Sequence, residues 1–220
     1  MKRKTLAALI AGADRPLVRA LAADGEEQVI DPASDASPLG AAAAEAARTE
    51  KSTEVEIAGR KWFLEVHNPP LDLALVGAVH IAQPLAAMAV LAGYRVRVID
   101  PRVAFATPER FPGITLVHDF PDEALARTPL GPRSALVVLA HDPKIDDLGL
   151  IAGLRSPAFY VGALGSKKSH AARLERLAAA GLTQAELDRI HGPVGLAIGA
   201  RSPAEIAISI LAQITQTLRN

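Results

Sequence analysis

Four short stretches carry most of the residues able to do chemistry. The first is LALVGAVHIAQPL, residues 73–85, where an apolar run passes through Gly77 into a helix-like segment. Gly77 and Ala82 match the first and last positions of G-x-G-x-x-G/A, the loop that seats a dinucleotide's pyrophosphate at a helix N-terminus. Val79 stands where the middle glycine belongs. The outer two positions serve the tight turn and the close approach of helix and strand; the middle one lets phosphate reach the backbone. Val79 keeps the scaffold and puts the phosphate path in doubt, while His80 beside it can line a crevice. Asp100 follows Gly77 by 23 positions, close to the usual distance for a carboxylate that binds ribose hydroxyls. Arg102 just beyond it is a candidate anion ligand.

The second stretch, YVGALGSKKSH (residues 160–170), reads as strand, glycine turn and helix start. Gly162, Gly165, Ser166, Lys167 and Lys168 would gather with free backbone N–H groups at one helix N-terminus, which suits an anion. Only two residues separate Gly162 from Gly165, so this is not a Walker A loop, which needs four. The third, LVVLAHDPKIDD, puts His141 and Asp142 at a strand's carboxyl end, with Asp146 and Asp147 one turn on. These residues suit an acid–base pair or a hard cation, or a helix cap (Asp142) and a solvated face. The fourth, GPVGLAIGARSPAEIA, brackets an apolar run with Gly195 and Gly199 and ends on Arg201 beside a capped helix, where a guanidinium and backbone donors can hold phosphate. His67, His118, His170 and His191 show no compact metal spacing and read as structural or surface residues. There is no nucleophile elbow.

Composition narrows the classes. The 220 residues carry 24 Lys+Arg against 24 Asp+Glu, without the basic excess of a nucleic-acid protein. Cysteine is absent, which removes disulfides, thiolate metal sites and a persulfide carrier. Half the residues are apolar, enough for a sizeable core. No segment has the roughly 18 uninterrupted apolar residues of a membrane span. The opening MKRKTLAALIAGADRP has a basic start and a short Ala-rich run; it reads as a helix leading into the domain rather than as a leader.

These residues need elements to position them. From Leu71 onward short apolar runs alternate with helices, the signature of a parallel sheet covered on both faces. Strands are expected at 71–76, 95–100, 114–118, 134–140, 158–163 and 194–198. Helices are expected at 81–92, 121–127, 144–155, 167–180, 183–190 and 202–218. Ser202, Pro203 and Glu205 form a helix start with a capping box, and Thr183 with Glu186 a similar pair. The fold class is α/β: a doubly wound, mostly parallel six-stranded Rossmann-like sheet over 68–220, with a small N-terminal α+β segment over 1–67. In that segment a helix is expected at 5–23, a polar turn-rich connection after it, a second helix at 39–48, and a hairpin over 53–67 turning at Ala58-Gly59. Asn68-Pro69-Pro70 reads as a stiff linker. Ligands of such sheets collect at the strands' carboxyl ends, near the switch in strand order.

Taken together, GAVHIA, VIDPRVAFATPERFP, AHDPKIDD, YVGALGSKK and PVGLAIGARSPAEIAISILAQI closely resemble, in this order, the C-terminal half of XdhC/CoxI-type proteins. These are accessory factors for xanthine dehydrogenase and related molybdenum hydroxylases. The resemblance runs from about Pro69 to Ile214. It implies a cytoplasmic, chaperone-like, non-catalytic protein whose Rossmann-like domain binds the molybdenum cofactor, as molybdopterin or its dinucleotide form, and delivers it to the apoenzyme. In the family this accompanies exchange of a molybdenum oxo ligand for sulfur supplied by a cysteine desulfurase. By the same resemblance the cofactor-binding residues are Gly77, His80, Asp100, Arg102, His141, Asp142, Asp146, Gly162, Gly165, Ser166, Lys167, Gly195, Gly199 and Arg201. Two departures stand out: Val79 replaces a glycine, and residues 1–67 lack the Gly-Gly-Cys-type segment of the family's N-terminal domain. Either a separate chain then supplies the missing half or the protein uses only its second domain, with neither nucleic acid nor membrane as partner; a homodimer is compatible with this. The alternatives are an NAD(P)-dependent oxidoreductase, supported by Gly77 and Asp100 and weakened by Val79, and a degenerate scaffold that binds only protein.

Overall fold

Strands buried on both faces read as unbroken apolar runs, and five such runs after Leu71 set the architecture. The structure is a computed structural model that describes all of residues 1–220. The chain divides into two compact units, Met1–Pro69 and Pro70–Asn220.

The second unit is a doubly wound α/β fold. Its elements are β5 (Leu71–Val76), α3 (Ala82–Leu91), β6 (Tyr94–Ile99), β7 (Thr115–Val117), α4 (Pro121–Arg127), β8 (Ser134–Val138), α5 (Pro143–Leu154), β9 (Tyr160–Ala163), α6 (Lys167–Ala179), α7 (Gln184–Leu187), β10 (Ile190–His191) and α8 (Pro203–Arg219). The six strands lie in the order β7-β6-β5-β8-β9-β10, and every neighbouring pair is parallel. This is the 3-2-1-4-5-6 arrangement of Rossmann domains, with the switch in strand order between β5 and β8. Alternation along each strand feeds two cores. Leu71, Leu73, Leu75, Val137 and Leu139 pack with α3 and α8 through Leu85, Ala207 and Ile210. Ala74, Val76, Leu136, Val138 and Val161 pack with α4, α5 and α6 through Leu125, Leu150 and Leu177.

The expected strand over 194–198 does not form. The last strand is Ile190–His191, earlier in the chain, and Val194 adds one further bond by donating to the Ala163 carbonyl. Pro193 has no N–H to give to a ladder, and Gly195 and Gly199 take positive φ (98° and 77°) that turn the chain away. Because Ile190 is drawn into β10, α7 shrinks to four residues, although the Thr183–Glu186 capping box is present. The Ser202–Glu205 box opens α8 as the sequence predicts.

The first unit holds α1 (Arg3–Ala11), β1 (Leu17–Ala22), β2 (Glu27–Ile30), α2 (Pro38–Thr49), β3 (Thr53–Ile57) and β4 (Arg60–His67), with an antiparallel sheet ordered β2-β1-β4-β3. The single helix expected over 5–23 is therefore a short helix followed by a strand, and the polar connection contains a strand. Gly12 ends α1 where a Cβ would lie 2.7 Å from Leu17 Cδ1, and Pro16 favours extended backbone before it. Arg19 then bridges the sheet, pairing with Glu27 on β2 and Glu65 on β4. The 53–67 hairpin is present, with Ala58 and Gly59 both at positive φ in its turn, the geometry two-residue hairpins favour. No helix is long and apolar enough to cross a membrane.

Candidate functional site

Parallel strands end side by side, so the loops after β5, β6, β8 and β9 share one edge of the sheet. Gly77 opens the loop after β5 at φ 102°, where a Cβ would lie 2.6 Å from Ala140 N and 2.7 Å from its Cα. Only glycine lets β5 and the end of β8 approach so closely. Val79 is half-buried and packs in part against the α3/α8 core, so its side chain adds to that core, and the exposed side chain of this loop is His80. The α3 N-terminus has no side-chain cap and no acidic residue in its first turn.

Asp100 is fully buried. One carboxylate oxygen accepts from Ala78 N–H at 2.7 Å. Arg102 grips the group with its backbone N–H, Nε and Nη2 at 2.8–2.9 Å. Burial is the largest single influence and opposes ionisation, but the hydrogen bonds from Arg102 and Ala78 and the Arg102 charge together hold the carboxyl below the usual range. Asp100 thus ties the β5 and β6 loops together and has no free oxygen for a ribose. Arg102 is drawn above the ordinary guanidinium range by Asp100, with smaller help from Asp142 and Asp146, so its charge is felt across to the β8 tip.

After β8, His141 is exposed with φ 60°, in the left-handed region. Asp142 caps α5 by accepting from Lys144 N–H, and Asp146 reaches back to accept from Ala140 N–H at 3.0 Å. Asp146 is buried; that burial, opposed by N–H bonds and by the charge of Arg173, pushes its carboxyl up to about 6. Two carboxylates therefore occupy the α5 N-terminus. The α8 N-terminus is likewise filled, since Glu205 accepts from the backbone N–H of Arg201 and Ser202. Arg201 itself is exposed. Gly195 packs onto α8, donating to Gln213 Oε1, and Ser209 Oγ leaves no room there for a Cβ. Gly199 is exposed at a turn. No three His, Asp or Glu side chains converge as metal ligands.

The loop after β9 differs. Gly162 leaves room for Val194 and Tyr160, a packing role, whereas Gly165 adopts φ 146° and brings the chain round to α6. Ser166 caps α6 by accepting from Ser169 N–H. Lys167 and Lys168 are exposed, and the first turn contains no acid. Beneath this turn lies Arg173, 4% exposed. Its Nη2 donates to the Leu164 carbonyl at 2.7 Å, while Nε and Nη1 are buried without any partner. Burial pulls its pKa down from the ordinary range, against the attraction of Asp146 and Asp147. An unpaired buried guanidinium is costly. Arg173 is not singled out by the sequence motifs; its i,i+4 spacing to buried Leu177 was the available signal. Two grooves of about 560 Å³ lie elsewhere, one between α4 and α5 near the N-terminal ends of β8 and β9, the other along α3 and α8. Neither includes the strand tips.

The geometry is that of a Rossmann unit with an uncapped helix start after β5 and exposed lysines at an acid-free helix start after β9. Comparison with known proteins agrees with it: residues 73–214 match the XdhC Rossmann domain. The chain belongs to the XdhC family. It is 35% identical over 156 residues to a probable xanthine dehydrogenase subunit of Bacillus subtilis, covering 70% of this chain and 45% of that one. It is 30% identical over 146 residues to the molybdenum cofactor insertion chaperone PaoD of Escherichia coli, covering 66% and 40%. The chain spans less than half the length of these two curated relatives. A crystal structure described as a xanthine dehydrogenase from Bacillus halodurans matches 99% of this chain and 63% of that chain, at TM-score 0.71 and 26% identity. Within this XdhC unit the donor set at the strand tips is guanidinium, ammonium, backbone N–H and imidazole, with no thiolate. Such donors fit the phosphate end of a pterin cofactor and offer no soft ligand to molybdenum itself.

Proposed function

We propose that the chain is a non-catalytic maturation factor for a xanthine dehydrogenase-type molybdenum hydroxylase. In this role it holds the phosphate-bearing pterin cofactor, with or without a nucleotide, and passes it to the apoenzyme in the cytoplasm. The observation that carries the proposal is the pairing of an acid-free α6 N-terminus with the buried Arg173 beneath its turn, whose Nη2 is held by the Leu164 carbonyl while Nε and Nη1 have no partner. Backbone N–H groups and Lys167 would contact phosphate, with Arg173 supplying positive field from below the loop. His80 and His141, both exposed, would line the crevice. Gly195, Gly199 and Arg201 have a smaller part, because Glu205 already occupies the donors at their helix.

When bound, the cofactor supplies the molybdenum chemistry; this chain's residues bind and orient it. With no cysteine, any sulfur transfer in this scheme runs through a cysteine desulfurase and a thiol on another chain. An NAD(P)-dependent reaction has less support, since both oxygens of Asp100 are already engaged. The test is reconstitution: apo-hydroxylase is mixed with limiting isolated cofactor, with and without this chain, and hydroxylase activity is followed. A delivery factor raises the yield of active enzyme. Equal yields would remove the delivery role and leave a protein-binding scaffold.

A further inference from the structure

The turn after β6 carries an aromatic ring that the core does not take. Phe105 is 43% exposed although the next residue, Ala106, and nearby Phe111 are buried at 1% and 2%. Its backbone is fixed on both sides: the N–H donates to the Arg102 carbonyl at 2.8 Å, and the carbonyl accepts from Arg110. The backbone that carries the ring is therefore held in place while the ring stays open to solvent. Arg102 Cζ lies over the ring, 4.5 Å from its centroid, a cation–π contact. That guanidinium is itself locked by Asp100 through Nε and Nη2, yet the side chain keeps 32% exposure and its Nη1 has no hydrogen bond among those of the residue. Exposed Val103 extends the apolar rim.

We infer that Arg102 and Phe105 form a preformed stacking subsite for a flat heteroaromatic ring with an acceptor edge. The ring would lie against the open face of Phe105, and the Arg102 charge on the other side of that ring would favour an electron-rich, acceptor-bearing heteroaromatic. Because Asp100 is spent on the loop, the subsite reads the ring and not a ribose. The inference rests on the strand tips being a cofactor crevice, in which this subsite adjoins the β5 loop that Asp100 ties to it. Both a pterin and a nucleotide base have the required chemistry.

The experiment uses the full chain and ligand-observed saturation-transfer NMR, with affinities from titration. The probes are 6-hydroxymethylpterin, guanosine and cytidine 5′-monophosphates, and inorganic pyrophosphate as a ring-free control. Phe105→Leu keeps the apolar bulk and Arg102→Lys keeps the charge, with circular dichroism as the check on folding. Phe105→Leu should weaken at least one ring-bearing probe about tenfold and leave pyrophosphate unchanged; Arg102→Lys should weaken the same probe. A loss confined to the pterin assigns the subsite to it, and a loss confined to nucleotides assigns it to their base. If no ring-bearing probe binds, or if Phe105→Leu leaves all of them unchanged or weakens pyrophosphate equally, the subsite is overturned. Pyrophosphate binding in wild type reports separately on the phosphate reading.

Discussion

Gly77 and Asp146 show how single residues constrain this sheet edge. A methyl group at Gly77 would meet the Ala140 backbone at 2.6–2.7 Å and would have to adopt φ 102°. Gly77→Ala should cost roughly 2–5 kcal/mol of stability, measured by urea unfolding; a change below about 0.5 kcal/mol would contradict the packing described. Asp146 makes a pH prediction. Its folded carboxyl titrates at about 6, above the ordinary value, so the folded state binds the proton more tightly than the unfolded chain. The stabilisation from this group is full below about pH 4 and is lost as pH rises through about 6. Asp146→Asn keeps an oxygen for Ala140 N–H and removes the ionisation. Relative to wild type it should therefore gain stability between pH 5 and pH 8, by up to ~2 kcal/mol. A difference that is flat with pH would mean that Asp146 is ionised throughout. Arg173 belongs to the same scale: its burial was invisible in a basic helix unless its spacing to Leu177 was weighed above its charge.

At the scale of elements, the strands after Leu71 were legible because burial on both faces leaves a nearly pure apolar run. The capped starts of α7 and α8 were legible because the capping box is a local code. What failed was set by tertiary partners. β1 looked helical until Arg19 found Glu27 and Glu65 on flanking strands, and the 194–198 run looked like a strand until Pro193 and two positive-φ glycines turned it away. Val79 illustrates the same limit. By sequence it puts a phosphate path in doubt; the fold adds that it contributes to the α3/α8 core. Val79→Gly should cost about 1–2 kcal/mol through lost packing and added backbone freedom, with no gain in NAD(H) affinity by calorimetry. Tighter dinucleotide binding would show that valine was the obstruction after all. Ser202→Ala should remove one side of the α8 capping box and lower stability by about 1 kcal/mol, read from thermal unfolding; no loss would mean that the cap contributes nothing beyond its alternatives.

For the whole molecule, family membership and fold agree with the order of motifs along the chain, while the site drawn from those motifs divides on inspection. Glycines read as ligand loops include three that serve close packing, Gly77, Gly162 and Gly195, and Asp100 and Asp142 hold the backbone. Exposed lysines, a helix start free of acid and the part-satisfied Arg173 meet at the β9–α6 turn, and the proposed cofactor binding is placed there. The most direct measurement is retention. The purified chain is incubated with isolated molybdenum cofactor and gel-filtered, and molybdenum and oxidised pterin are quantified in the protein peak for wild type and for Arg173→Gln with Lys167→Ala. Molybdenum and pterin should both appear in the wild-type peak in equal amounts, with a loss of about tenfold or more in the double variant. Neither molybdenum nor pterin on the wild-type chain, by itself or with a molybdenum hydroxylase added, would contradict the proposed cofactor-carrying role.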